Sequence, residues 1–142
     1  MIEVVVNTGT LARSRRGSIT GEIFLRHATE AFPDSRWSDF PVVVLSWWIE
    51  GIRKVVAGQD DSYVGHFMDG PYAFVVKRRA RNAASIAWGR RDEEEFVEEV
   101  DFYALRRSAV VAGQHVVAAC HARGWSSDDL DSLEQAIARG AA

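Results

Sequence analysis

Two periodicities of apolar residues alternate along this chain. Alternating or β-branched runs, which are typical of strands, occupy the start and the middle of the sequence. Turn-forming residues separate the middle runs at the spacing of hairpins, which predicts antiparallel pairing. The predicted strands are Ile2 to Val6, Ile19 to Leu25, Tyr63 to Met68, Tyr72 to Arg79 and Ala84 to Arg90.

A helical pattern, with apolar residues every three to four positions, follows the first two strands. It starts at Pro41, which suits the first turn of a helix, and ends at Gly58, with Ser38 as the predicted N-cap. Val43 and Trp47 project from the side opposite the apolar stripe. A helix sandwiched between layers would bury Trp47, which is the interpretation we favour, whereas an exposed tryptophan is typical of interfaces. The stripe itself consists of Leu45, Trp48, Ile49, Ile52 and Val56.

The last third of the chain predicts two more helices. One keeps an apolar face from Phe102 to Gly124, and Gly124 is the expected left-handed residue just after its end. The other follows a cap at Ser126 or Ser127. Its inward-facing residues are Leu130, Leu133 and Ile137.

The segment from Asp92 to Val100 fits two structures. Asp92 with Glu95 three positions later resembles the capping box of a helix. A fourth strand would instead leave Asp101 to cap the next helix. We favour the strand.

This order of elements contains no βαβ alternation and no internal repeat. The predicted fold class is therefore α+β, with an antiparallel β-sheet of four to six strands and about three helices packed mainly on one face. A chain of 142 residues has the usual size of one unit, so we expect a single globular domain over residues 1–142.

The composition and charge of the chain limit the cellular compartments and the partners that we expect. The single Cys120 has apolar neighbours and cannot form an internal disulfide, which favours a reducing compartment. The N-terminus lacks the pattern of a signal peptide, and no apolar run is long enough to span a membrane. We therefore expect a cytoplasmic protein without a membrane partner.

A net charge of −3 makes nucleic acid an unlikely partner. A local basic group remains a third interpretation, because hairpin geometry would bring its members near one end of the sheet. Its members are Lys77, Arg78, Arg79, Arg81, Arg90 and Arg91.

No arrangement of residues with the chemistry of an active site emerges from the sequence. His115 and His121 are six positions apart on one predicted helix, which turns them roughly 120° from each other, so they cannot hold one ion. Cys120 and His121 point about 100° apart and cannot share a proton. The phosphate-binding glycine motifs are missing. We therefore predict no catalytic residues, no metal and no cofactor, and expect that the protein is not an enzyme.

Acidic residues are the most prominent polar feature. Seven carboxylates fall within the ten positions from Asp92 to Asp101, and such a block is either a solvated edge or a negative field for a basic partner. Further acids lie in predicted loops. The candidate partner-binding residues are Trp47, Asp60, Asp61, Asp69, Asp92, Glu93, Glu94 and Glu95.

Several aromatic and turn motifs, taken together, resemble those of small bacterial immunity proteins of polymorphic toxin systems. The resemblance covers most of the chain in order, and its motifs are structural rather than catalytic. It implies a cytoplasmic, non-enzymatic protein that binds and neutralises a cognate toxin domain. The motifs are Phe32-Pro33, Trp37-Ser38-Asp39-Phe40, Leu45-Ser46-Trp47-Trp48, Phe67-Met68-Asp69-Gly70-Pro71-Tyr72 and Cys120-His121-Ala122-Arg123-Gly124-Trp125.

The alternative is a small enzyme or ligand-binding domain. Its pocket would lie between the sheet and the first helix, where aromatic side chains are expected to gather. The residues predicted to line it are Trp48, Tyr72, Phe74 and Trp88.

Overall fold

The computed structural model describes residues 1–140, which form eight strands and three helices. The helices are α1 (Pro41–Val56), α2 (Phe102–Ala122) and α3 (Asp128–Gly140). The strands are β1 (Ile2–Arg13), β2 (Ile19–His27), β3 (Glu30–Phe32), β4 (Ser38–Asp39), β5 (Ser62–His66), β6 (Tyr72–Ala80), β7 (Ala83–Arg90) and β8 (Glu95–Asp101).

The strands form two antiparallel sheets of four strands each. In the first sheet β2 is central, because it pairs with β1 along one edge and with the short β3 and β4 along the other. In the second sheet β5, β6, β7 and β8 follow one another in chain order. Every pairing joins nearby segments of the chain, so local turns set the strand order.

The α+β class, the antiparallel pairing and the three helices are confirmed, but the strands divide between two sheets. Helix α1 separates the two groups along the chain, and its buried face contacts both β2 and β5. Helix α2 likewise contacts β1 and β8, and α3 packs on the other two helices. The helices therefore join the sheets, a feature that local hairpin signals do not encode.

The core is built around α1, whose apolar stripe is shielded from solvent except at Val56, which is partly buried. Trp48, Ile49 and Ile52 have no exposed surface beyond 1%. The indole of Trp48 packs edge-on against the rings of Phe67 and Phe74, with centroids 5.0 and 5.1 Å apart. Its Nε1 donates to the backbone oxygen of His66 at 2.9 Å. The buried indole N–H therefore has a hydrogen-bond partner, while the ring itself packs against apolar neighbours.

The short strands β3 and β4 were not predicted from the sequence, and β1 and the start of α1 differ from the expectation. Strand β1 continues to Arg13 instead of ending near Asn7. The register of the β1–β2 pairing shifts between Asn7 and Ala12, and this irregularity accommodates the turn-like residues within the strand. Ser38 does not cap α1; it lies in β4, and the N-cap residue Phe40 makes no side-chain capping bond.

The segment from Glu95 is the predicted strand, and Asp101 caps α2 by accepting from the N–H groups of Tyr103 and Ala104.

Candidate protein interface

Asp39 holds the start of α1 against the turn between β5 and β6. It is only 2% exposed, yet its two carboxylate oxygens accept four hydrogen bonds. Oδ1 accepts from the N–H groups of Phe40 at 2.8 Å and Met68 at 3.1 Å. Oδ2 accepts from the indole of Trp37 and the N–H of Asp69, both at 3.0 Å. The position of this turn is therefore fixed by one buried side chain.

Trp47 is exposed, contrary to the burial that we favoured from the sequence. The side chain is 44% accessible, and Met68, in the turn that Asp39 holds, is 48% accessible. Within residues 1–140 no second layer buries the side chain of Trp47. Val43, one helical turn before Trp47, lines a cavity of about 130 Å³ together with Met68 and Asp129. We call Val43, Trp47, Met68, Asp69 and Asp129 the Trp47 surface.

Gly51 lets β5 approach α1 closely one helical turn after Trp47, and Gly65 of β5 leaves room for a ring of β6. A Cβ atom at Gly51 would lie 2.1 Å from the ring of Tyr63, and one at Gly65 would lie 2.1 Å from the ring of Phe74. Each ring therefore occupies the space that a side chain would fill. Burial raises the pKa of Tyr63.

The acidic turn, defined as Asp92–Glu95, lies at the same end of the second sheet as Asp69. The N–H of Arg91 donates to the backbone oxygen of Pro71 at 2.7 Å, which joins the β7–β8 and β5–β6 turns. Asp92 adopts a left-handed backbone with φ 67°. Arg90 and Arg91 precede the four acids and offset part of their charge.

Asp60 and Asp61 lie at the opposite end of the second sheet. They precede β5, and the backbone oxygen of Asp61 accepts from the N–H of Arg78 near the far end of β6. Both aspartates are exposed. The structure therefore brings Asp69 and the acidic turn together but separates them from this pair.

The basic group is also divided, so the expectation that it gathers at one end of the sheet is wrong. Arg90 pairs with Tyr72 in the β6–β7 ladder, whereas Arg81 lies in the turn at the other end, roughly 27 Å away at about 3.4 Å per residue. Arg78 is partly buried. Its guanidinium donates to the oxygens of Val55 and Val56.

The aromatic residues of the predicted pocket pack against neighbours instead of lining one open space. Trp48 and Phe74 are fully buried and contact each other edge to face. Tyr72 contacts Phe32 edge-on, and Trp88 stacks on Phe32 with a centroid distance of 5.1 Å. Trp48 and Phe74 therefore belong to the core between α1 and the second sheet, whereas Tyr72 and Trp88 pack against Phe32 of β3 in the first sheet.

Burial or an ion pair shifts the pKa of a few titratable residues in the described part of the chain. Burial raises the pKa of the Cys120 thiol, which keeps it protonated near neutral pH. The guanidinium of Arg53, 2.7 Å from Glu50, lowers the pKa of that carboxyl. Within residues 1–140 no three His, Cys, Asp or Glu side chains are grouped to hold a metal ion.

Met68 and Asp129 are the members of the Trp47 surface that sequence reasoning missed. Met68 lies at the end of a predicted strand. The alternation of apolar and polar residues along that strand does not mark Met68 as part of a binding surface. Asp129 lies in the first turn of α3. An acidic residue is common at that position because it interacts favourably with the helix dipole, so the sequence gives no reason to assign it a binding role. Their proximity to Val43 depends on the packing of α3 against α1, which no local pattern reveals.

Comparisons with known proteins add no assignment to this geometry. None of the helices in residues 1–140 has the length and apolar character needed to cross a membrane. No protein-family model, curated protein or solved structure matches the chain.

Proposed function

We propose that this protein is a cytoplasmic, non-enzymatic binding protein that neutralises a cognate toxin domain by covering it. The observation that carries the proposal is the exposed Trp47, which lies one helical turn after Val43, a residue that lines one cavity with the exposed Met68 and with Asp129. An exposed tryptophan with a flexible methionine is typical of the energetic centre of a protein interface. The resemblance of the aromatic and turn motifs to immunity proteins makes a toxin domain the partner that we propose.

Charge supports a basic partner. Asp69 and the acidic turn share one end of the second sheet, and α3 begins with Asp128, Asp129 and Asp131. Acidic groups around an aromatic anchor attract a basic surface and speed its association. They also disfavour acidic competitors.

Substitution of Trp47 by alanine should weaken the complex without unfolding the protein. We expect about 30-fold weaker binding to the toxin domain encoded beside its gene, the effect of losing about 2 kcal/mol at a hot spot. The free energy of unfolding should fall by only about 1–2 kcal/mol, because nearly half of the side chain is exposed and alanine removes the packing of the covered part alone. Titration calorimetry and denaturant unfolding measure the two quantities.

Tyr103→Ala is the matched control, because Tyr103 is 42% exposed on α2 and contacts only Phe102 and Arg106 among the ring interactions. It should retain native affinity and protect cells that express the toxin domain. Equal losses in the two variants would contradict the Trp47 surface as the centre of binding. Failure of the native protein to bind or protect would contradict the proposed function for that toxin.

Charge reversal should distinguish the two ends of the second sheet. We expect Glu93→Lys with Glu94→Lys to slow association roughly tenfold at low salt, and less at high salt, because exposed charges are screened. Asp60→Lys with Asp61→Lys makes the same change in net charge at the opposite end and should have a smaller effect. Stopped-flow measurement over a range of salt concentrations gives both rates, and equal slowing would indicate an effect of net charge alone.

A further inference from the structure

One face of the second sheet carries a line of apolar side chains across all four strands. Val64 of β5 lies opposite Val75 of β6 in the strand register. Val75 in turn lies opposite Ala87 of β7, and Ala87 lies opposite Phe96 of β8. Opposed residues of antiparallel strands project from the same side of a sheet, so these four side chains form one continuous line. We call them the cross-strand row.

The face that carries the cross-strand row is turned toward solvent. Helix α1 packs on the other face, where Gly51 approaches Tyr63 and Trp48 contacts Phe74. Tyr63 and Phe74 each precede a member of the row in sequence, and successive side chains of a strand point to opposite faces. At the two ends of the row, Val64 is 42% exposed and Phe96 is 65% exposed. Exposed apolar side chains that form a line across a sheet indicate an interaction surface.

Opposite charges lie beside the row on the same face. Two residues further along the strands, Lys77 of β6 and Glu99 of β8 lie opposite Ser85, which separates them. Both charged side chains are exposed, and within residues 1–140 neither has a salt-bridge partner. Two strand spacings, about 9.6 Å, keep them apart within one chain. Each is therefore available to a group that approaches from outside.

We propose that a second copy of this chain packs face to face on the cross-strand row. The two-fold axis runs parallel to the strands, between β6 and β7, so β5 of one copy lies over β8 of the other. Phe96 of each copy then meets the smaller Val64 of the other copy, and Val75 meets Ala87. The row is thus self-complementary, as the interface of a two-fold dimer must be.

Charge favours a second copy in this orientation. Lys77 of one copy lies one strand, about 4.8 Å, to the side of Glu99 of the other copy. Packed sheets are about 10 Å apart, so these two long side chains can meet across the interface. Symmetry forms the pair twice. An axis that runs across the strands would instead place β8, with its several glutamates, over itself, and like charges would repel.

The area of this face predicts a weak dimer. Four strands about 4.8 Å apart, with roughly six residues each, cover about 400 Å². Two copies would bury roughly 800–1,000 Å² in total, which is below the size of standard stable interfaces, about 1,200 Å² or more. We therefore expect a dissociation constant of about 50 µM, so the monomer and the dimer exchange.

Analytical ultracentrifugation of the whole chain tests the dimer over roughly 5–500 µM, a range chosen to bracket the expected dissociation constant. We expect mainly monomer at the lowest concentration and mainly dimer at the highest. Val64→Thr with Phe96→Thr should weaken the dimer at least about tenfold, because threonine keeps the preference for a strand but removes apolar contact area.

Tyr103→Ala with Val111→Ala is the matched control, because both residues are exposed apolar side chains on α2. This variant should dimerise like the native chain. Thermal unfolding of both variants checks that each is folded. A monomer at every concentration, or equal weakening by the two pairs of substitutions, would overturn the proposal.

Charge reversal tests the orientation and leaves the cross-strand row intact. Lys77→Glu and Glu99→Lys should each weaken the dimer about tenfold, because each places like charges opposite one another twice. An equimolar mixture of the two variants should dimerise with near-native affinity, since opposite charges face each other again in the mixed dimer. Arg107→Glu, an exposed site on α2, makes the same change in net charge as Lys77→Glu and should have little effect. Weak association of the mixture would contradict the proposed orientation.

The dimer and the proposed function can fail separately, because the cross-strand row contains no residue of the Trp47 surface. If the chain dimerises but the neighbouring toxin domain does not bind, the dimer stands and the proposed function is wrong for that toxin. If the native chain stays monomeric and Val64→Thr with Phe96→Thr weakens binding of the toxin domain, the face belongs to the toxin and the dimer is wrong.

Discussion

Replacing Asp39 with alanine is expected to lower the free energy of unfolding by about 3–5 kcal/mol, the largest effect of any single polar substitution that we predict. Four N–H donors, from Trp37, Phe40, Met68 and Asp69, would lose their acceptor in a site shielded from water. Each buried donor left unpaired costs about 1–3 kcal/mol, and these costs are not fully additive. Denaturant unfolding measures the loss.

Asp69→Ala is the control, because Asp69 lies in the same turn but its exposed carboxylate makes no side-chain hydrogen bond or salt bridge in residues 1–140. It should change stability by less than about 0.5 kcal/mol. Asp39→Asn keeps the shape but presents an NH₂ group to two of the donors, so it should also be strongly destabilising. Similar unfolding midpoints for Asp39→Ala and Asp69→Ala would contradict the structural role of Asp39.

Replacing Arg78 with methionine is expected to cost about 2–3 kcal/mol of stability. The guanidinium donates to the last backbone oxygens of α1 at Val55 and Val56, and it lies 4.6 Å from the ring centre of Phe102 at the start of α2. Its loss leaves carbonyl groups at the helix end without this donor and removes a cation–π contact. Methionine retains the apolar stem, so the cost reflects mainly the polar contacts.

Lys77→Met is the matched control, since Lys77 is the preceding residue of β6 and is exposed. Thermal unfolding should show a clear decrease in Tm for Arg78→Met and little change for Lys77→Met. Arg78→Lys should fall between native and Arg78→Met, because an ammonium cannot bridge the two carbonyls and stack on the ring at the same time. Equal Tm values for Arg78→Met and Lys77→Met would mean that Arg78 does not clamp α1.

Elements with strong local signals could be predicted from the sequence. Pro41 starts α1, Asp101 caps α2, and Gly124 takes a left-handed backbone after α2, with φ 70°. Ser127 caps α3 by accepting from the N–H of Leu130 at 3.1 Å. Each feature depends on neighbours within four residues, so the local chemistry was sufficient.

The features that required tertiary structure were not predictable. The polar role of Asp39 depends on Met68 and Asp69, 29 and 30 residues away in the chain. The division into two sheets depends on where α1 packs. The exposure of Trp47 has the same origin, because an amphipathic pattern does not state whether a second layer covers its polar side.

The candidate site was partly predictable. Trp47, Asp69 and the acidic turn were identified by residue type, because aromatic and acidic side chains have distinct chemistry at a surface. Their arrangement was not, since Asp60 and Asp61 lie at the other end of the second sheet.

The backbone hydrogen bonds of the acidic turn determine which of its side chains can be replaced without altering its conformation. Main-chain atoms hold the turn, through the bond from Arg91 to Pro71 and a bond of 2.9 Å from the N–H of Glu93 to the oxygen of Arg90. The exposed side chains at Glu93 and Glu95 can therefore be exchanged without altering the backbone that presents them. Asp92 is restricted, because its left-handed φ suits Asp, Asn or Gly, and Glu94 is restricted because its Oε1 accepts from the N–H of Asp92 at 3.2 Å. The turn can thus present different side chains at the positions of Glu93 and Glu95 on an unaltered backbone.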